Sequence, residues 1–163
     1  MNPYYYHYYR VNNWGSILTL LRQSLFAEEM VCSMSSELFH IPATKDLEGN
    51  AEMHNHLVPA SYHRVTAAGC AQRLVNGEDR QTIIATMAAC MVNAENQDKK
   101  VREGLKTMEE HAPPEYKTAI GLMIRWQDQA ENYLSQAKES LRMMGVSFPS
   151  SGSGPENGEY NLY

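Results

Sequence analysis

DRQTIIATMAACMVNAENQDKKVREGLKTMEEHAPPEYKTAIGLMIRWQDQAENYLSQAKESLRMM, residues 79–144, carries two seven-residue apolar repeats that meet at His111-Ala112-Pro113-Pro114. In the first arm Ile84, Met87, Met91, Ala94, Asp98, Val101, Leu105 and Met108 recur at alternating steps of three and four. Ile120, Met123, Gln127, Ala130, Leu134, Ala137, Leu141 and Met144 repeat the pattern in the second arm. This spacing turns one helix face toward a partner. A reversal near residues 112 and 113 folds the arms into a hairpin in which Asp98 faces Gln127 and Glu95 faces Ala130 or Glu131. The hairpin has a polar centre in an apolar seam.

Upstream, Asn12 or Asn13 can cap a helix running from Trp14 to about His40, with a stripe through Ile17, Leu21, Leu25 and Val31 that also takes in Glu28. Pro42 ends it. Residues 41–59, with Gly49 and two prolines, read as the longest connection, holding at most one helical turn at residues 51–56. A second helix then spans Ala60 to about Val75, its Ala67, Ala68, Gly69 and Ala71 suited to close approach, and Asn76-Gly77 ends it. Glu78 and Asp79 open the third helix; Pro113-Pro114-Glu115 opens the fourth and Gly145 closes it. Short links make helices two, three and four successive antiparallel neighbours. The expected fold is all-α, an antiparallel four-helix bundle over residues 13–146, of ferritin-like or simple up-down topology, between a Tyr-rich segment at 1–12 and a flexible Ser/Gly/Pro-rich tail at 147–163.

The composition narrows the function classes. The chain has 163 residues, 43% hydrophobic, enough for one domain with a core. Fourteen basic and 19 acidic residues give a net charge of -5, and no stretch gathers Lys or Arg into a phosphate-tracking stripe, so no nucleic acid partner is expected. No run reaches the roughly 20 apolar residues of a membrane span, and a cytoplasmic location is expected. Cys32, Cys70 and Cys90 are odd in number and widely spaced, which indicates buried apolar thiols rather than disulfides or a metal knuckle. Gly-rich phosphate loops, GxSxG elbows and HExxH motifs are absent from the sequence.

Two constellations could carry chemistry. Glu28, His63, Glu95, Asp98, Asp128 and Glu131 can meet at one level of a bundle, and clustered buried carboxylates call for cations. On these residues the chain resembles the ferritin-like family, whose members use a Glu on one helix of each pair and a Glu-x-x-His motif on the other. Glu28 and Glu95 match the single glutamates, Glu131 opens the fourth-helix motif and His63 closes the second-helix one. Ala60 and Leu134 stand at the two remaining motif positions, and the long link follows helix one rather than helix two. The resemblance implies Glu28, His63, Glu95 and Glu131 as metal ligands, with iron or manganese as the ion. Against it stands a register-setting layer of Asp98 and Gln127, with Glu95 and Glu131 at the edges paired to Lys99, Lys138 or Arg125. The second constellation, Glu52, His54 and His56 with His63 beyond, offers imidazoles to zinc, nickel or copper, but on a helix these side chains diverge.

MNPYYYHYYR, with five of the ten tyrosines, resembles the Tyr-rich termini of spore-coat and related small proteins of Gram-positive bacteria. Phenols there supply stackable, cross-linkable groups. The expected role is a non-enzymatic structural or interaction bundle, spore-coat-like, acting through a protein partner or self-association. The alternatives are a metal-binding ferritin-like protein and a cytosolic helical adaptor or chaperone whose Met-rich groove takes a partner helix.

Overall fold

The computed structural model describes residues 3–78 and 80–149, with side chains described from Asn13 onward. Four helices follow one another: α1 (Pro3–His40), α2 (Asn50–Val75), α3 (Gln81–His111) and α4 (Lys117–Met143). A 3-10 turn at Pro114–Tyr116 leads into α4, and there is no strand among the described residues. α1 packs on α2 and α4, and α3 packs on the same two, so the helices form a square with α1 diagonal to α3. No helix of the described residues is long and apolar enough to cross a membrane.

The hairpin of α3 and α4 sets Asp98 against Gln127 as expected, the Gln127 amide donating to Asp98 at 3.2 Å, whereas Glu95 meets Lys138 and Glu131 meets Arg102. The turn glycines also act as read. Gly77 and Gly145 take positive φ values of 91° and 83°, and after α4 the Val146 N–H reaches back to the Leu141 carbonyl at 3.0 Å. That bond satisfies a carbonyl the helix end would otherwise orphan.

Three boundaries differ from the sequence reading. α1 begins at Pro3, so its helical backbone runs through the Tyr-rich stretch rather than starting at Trp14. α2 begins at Asn50 and carries Pro59 inside it. A mid-helix proline costs about 3 kcal/mol, yet the helix continues because Met53 and Leu57, in the two turns before it, are fully buried. Burying two such side chains contributes about 1.5–3 kcal/mol each and offsets the proline. α3 begins two residues later than expected; Glu78 instead accepts from Arg73 at 2.8 Å, and Asp79 lies outside the described residues.

Ala67, Ala68 and Ala71 of α2 are buried in the core as expected of small residues at a close approach, but Gly69 takes no part in it, and the tightest α2–α3 contact lies at two other glycines. A Cβ on Gly69 would meet nothing within 4 Å, whereas one on Gly104 of α3 would sit 2.6 Å from the Met53 Cβ, and one on Gly49 2.6 Å from the Gly104 carbonyl. Beyond Gly145, Val146 and Phe148 fold back on the core, the Phe148 ring lying 5.0 Å from the Lys138 ammonium. The start of the segment read as a tail is therefore packed; the rest, from residue 150, lies outside the described residues.

The core is split in two. One apolar cluster holds Trp14, Ile17, Leu21, Met87, Met91, Leu134 and Leu141, the other Val31, Leu38, Met53, Leu57, Leu105, Met108, Ile120 and Met123. Between them lies a layer of buried polar side chains, one or more from every helix: Ser24 and Glu28, Arg64, Asp98 and Gln127.

Candidate functional site

Arg64 is the centre of that layer. It occupies the buried row of α2, in step with Leu57, Ala60, Ala67, Ala71 and Leu74, all of which are buried. The flanking alanines leave the volume that a guanidinium needs. Its Nε donates to the Ser24 hydroxyl at 2.8 Å, its Nη1 to Glu28 Oε1 at 2.7 Å, and its Nη2 to both Asp98 oxygens at 3.0 and 2.8 Å. α2 is thereby tied to α1 and α3 through one side chain. Ser24 passes the connection on, donating to the Ala130 carbonyl of α4 at 2.6 Å.

The hydrogen bonds continue to both surfaces. On one side Ser61, half-buried, donates to Glu28 Oε2 at 3.1 Å. On the other, the Gln127 amide nitrogen donates to Asp98 at 3.2 Å and to Glu131 at 3.1 Å, while the Gln127 carbonyl oxygen is buried without a partner. Glu131 and Asp128 in turn accept from Arg102 at 2.6 and 2.7 Å. Here the layer opens into a groove of about 490 Å³ between α3 and α4, lined by Glu95, Asp98, Lys99, Arg102, Asp128 and Glu131 among others.

Charge in the layer is nearly closed. Burial raises the Glu28 carboxyl to about 7, against the attraction of Arg64 and with the repulsion of Asp98. Burial by itself would lower Arg64, but Asp98 and Glu28 outweigh it and hold the guanidinium above its ordinary value. Two carboxylates and one guanidinium carry one net negative charge when Glu28 is ionised, and none when it is protonated. Burial also raises Glu131, opposed by its bonds from Arg102 and Gln127.

Three of the four residues matched to metal ligands have ionic or hydrogen-bonding partners within the chain. Glu28 is engaged by Arg64 and Ser61, and Glu131 by Arg102 and Gln127. Glu95 accepts from Lys138. His63 is half-buried, its Nδ1 without a hydrogen bond and its ring edge-on to Tyr62 at 5.7 Å; burial lowers its pKa. Among the described residues no group of three or more His, Cys, Asp or Glu side chains is arranged to hold a metal ion. The donor set does not fit the iron or manganese centre that the ferritin-like resemblance implies, because Arg64 already supplies the positive charge.

The second constellation separates as its spacing on a helix requires. His54 turns to α1, 3.2 Å from the Ser35 hydroxyl, while His56 turns to α3 and meets Gln97 at 2.8 Å. Ser35 also donates to the Asn50 side chain at 2.7 Å, forming a second buried polar contact where α2 starts.

Arg64 is the residue that sequence reasoning misses, though its position is legible. It falls in the heptad row of α2, and Glu28 in the stripe of α1 requires a buried cation. Starting α2 at Ala60 removes Met53 and Leu57 from that row and hides Arg64's place in it. A comparison of the chain with protein-family models, with curated proteins and with solved structures finds no match in any of the three.

Proposed function

We propose that the protein is a non-catalytic helical bundle that acts as a structural or interaction element. The observation that carries this reading is the self-contained polar layer: both buried carboxylates are paired with the chain's own Arg64, and the flanking Glu95 and Glu131 with Lys138 and Arg102. Such a layer holds four helices in one register without recruiting a ligand. The Met-rich groove of an adaptor is less favoured, since Met87, Met91, Met108 and Met123 are fully buried. The density of phenols in residues 1–12, whose side chains lie outside those described, supports a place in an assembling protein layer of the spore-coat kind.

Elemental analysis tests the reading. Protein purified without chelator, then offered iron or manganese, should retain less than stoichiometric metal; stoichiometric binding lost in both Glu95→Ala and Glu131→Ala would overturn it.

A further inference from the structure

Cys70 of α2 and Cys90 of α3 are free thiols, 7% and 8% exposed, in the same apolar cluster. The seam between the two helices brings them together. A Cβ on Gly104 would lie 3.1 Å from the Met53 Cα; a Cα–Cβ bond of about 1.5 Å then places the two Cα atoms within about 4.6 Å of each other. The link at 76–80 joins the same helices at their other ends. Fourteen residues along each antiparallel helix from the Met53–Gly104 contact, Ala67 comes level with Cys90. Cys70 is one turn further, about 4.5 Å along the axis.

Both cysteines lie on one side of the seam. His56, His63 and Cys70 form a row of seven-residue steps, Gln97, Cys90 and Ile83 another, and the two rows face each other where His56 meets Gln97 at 2.8 Å. Ala67, Ala71 and Ala94, fully buried beneath, keep the helices close. The axial step and a lateral gap like that at Gly104 give a Cα separation of about 6.4 Å, inside the roughly 4.4–6.8 Å that a disulfide spans.

We infer that Cys70 and Cys90 are an oxidation site, a thiol pair that hydrogen peroxide converts to a disulfide across the α2–α3 seam. Cys70 reacts first. Burial raises both thiols, but at Cys70 the charge of Arg73, one turn on, opposes it, whereas at Cys90 the neighbouring Cys70 adds to it. Gly69, beside Cys70, carries no side chain and faces open space, so the cover over the sulfur is thin enough for so small an oxidant. The Cys70 thiolate attacks one peroxide oxygen, the O–O bond breaks, and hydroxide leaves with a sulfenic acid on Cys70. Cys90 then attacks the Cys70 sulfur, the S–O bond breaks, and water departs. Hydroxide takes up the proton that Cys70 gave up, so two thiols and one peroxide yield one disulfide and two waters. Cys32 lies apart, on α1 against the other apolar cluster. The bond adds a covalent tie between α2 and α3 to the Arg64–Asp98 pair, and a thiol reductant reverses it.

Peptide mapping tests this on the reduced full chain, treated with a few equivalents of hydrogen peroxide and then alkylated in denaturant. Cys32 alone should be alkylated, with Cys70 and Cys90 in a linked peptide pair that dithiothreitol releases. The linked chain should melt about 5–10 °C above the reduced one. Cys90→Ser should accumulate a dimedone-reactive sulfenic acid at Cys70, Cys70→Ser should leave Cys90 a thiol, and Cys32→Ser should leave the link intact, each with helicity unchanged by circular dichroism. A folded wild type that keeps both thiols while Met143, 77% exposed, is oxidised overturns the inference. So does a link made through Cys32 or between chains, or a linked chain that melts no higher than the reduced one. The wild-type map decides the matter even where a serine variant fails to fold.

Discussion

Arg64 is a fully buried guanidinium held by two carboxylates and a hydroxyl, and the consequences of removing it follow from what remains. Arg64→Met leaves Glu28 and Asp98 facing one another with no cation, and breaking a buried pair in this way costs about 3–5 kcal/mol. Denaturant unfolding at pH 7 should show that loss. Arg64→Lys keeps the charge but cannot reach Ser24, Glu28 and Asp98 at once; it should recover only part of the stability, and full recovery would show that the fork geometry is unimportant. Replacing Arg64, Glu28 and Asp98 together by Met, Leu and Leu should restore much of what Arg64→Met loses, because no charge is then stranded. The site was thus half legible. Asp98 opposite Gln127 follows from heptad spacing and a turn position. The role of Arg64 depended on where α2 begins, which Pro59 obscures.

The helices themselves show where local rules yield to packing. Proline and glycine gave correct boundaries at Gly77 and Gly145, where positive φ closes a helix, and a wrong one at Pro59, where burial of Met53 and Leu57 carries α2 through. The same competition separates two glycines that look alike in sequence. Gly104→Ala would drive a Cβ to within 2.6 Å of the Met53 Cβ, an atom fixed to the α2 backbone. α2 and α3 would have to move apart, at about 1–3 kcal/mol. Gly69→Ala meets open space in the middle of α2 and should stabilise by up to about 1 kcal/mol through helix propensity alone. Thermal unfolding of the two variants should shift in opposite directions; a shared direction would mean that the close approach at Gly104 does not set the α2–α3 distance. Nothing in the spacing of small residues distinguishes Gly69 from Gly104, since both sit among alanines or polar residues on a helix. Only the register of α2 against α3 does.

Across the whole molecule the polar layer divides the core into two apolar clusters and joins all four helices, so its protonation is linked to global stability. Glu28 is the group through which that linkage runs, because burial lifts it from an ordinary 4.5 to about 7. The folded chain therefore holds the Glu28 proton more tightly than the unfolded chain. Stability from this group is fully present below pH 4.5, where both states are protonated, and is lost as pH rises between 4.5 and about 7. Above that it changes no further. The span corresponds to about 3 kcal/mol by linkage. Paired surface carboxylates act in the opposite sense: Glu78, lowered by the hydrogen bond and charge of Arg73, favours the fold as pH rises through the acid range, but exposed pairs of this kind contribute little. Denaturant unfolding followed from pH 5 to pH 8 should accordingly show wild type weakening toward neutrality. Glu28→Gln, which keeps the shape and the bond from Arg64 Nη1 without a titrating proton, should flatten the profile between pH 5 and pH 7 and exceed wild type in relative stability only at the upper end. Parallel profiles for the two proteins would place the titration elsewhere in the bundle and leave Glu28 ionised beside Arg64 at every pH at which the chain folds.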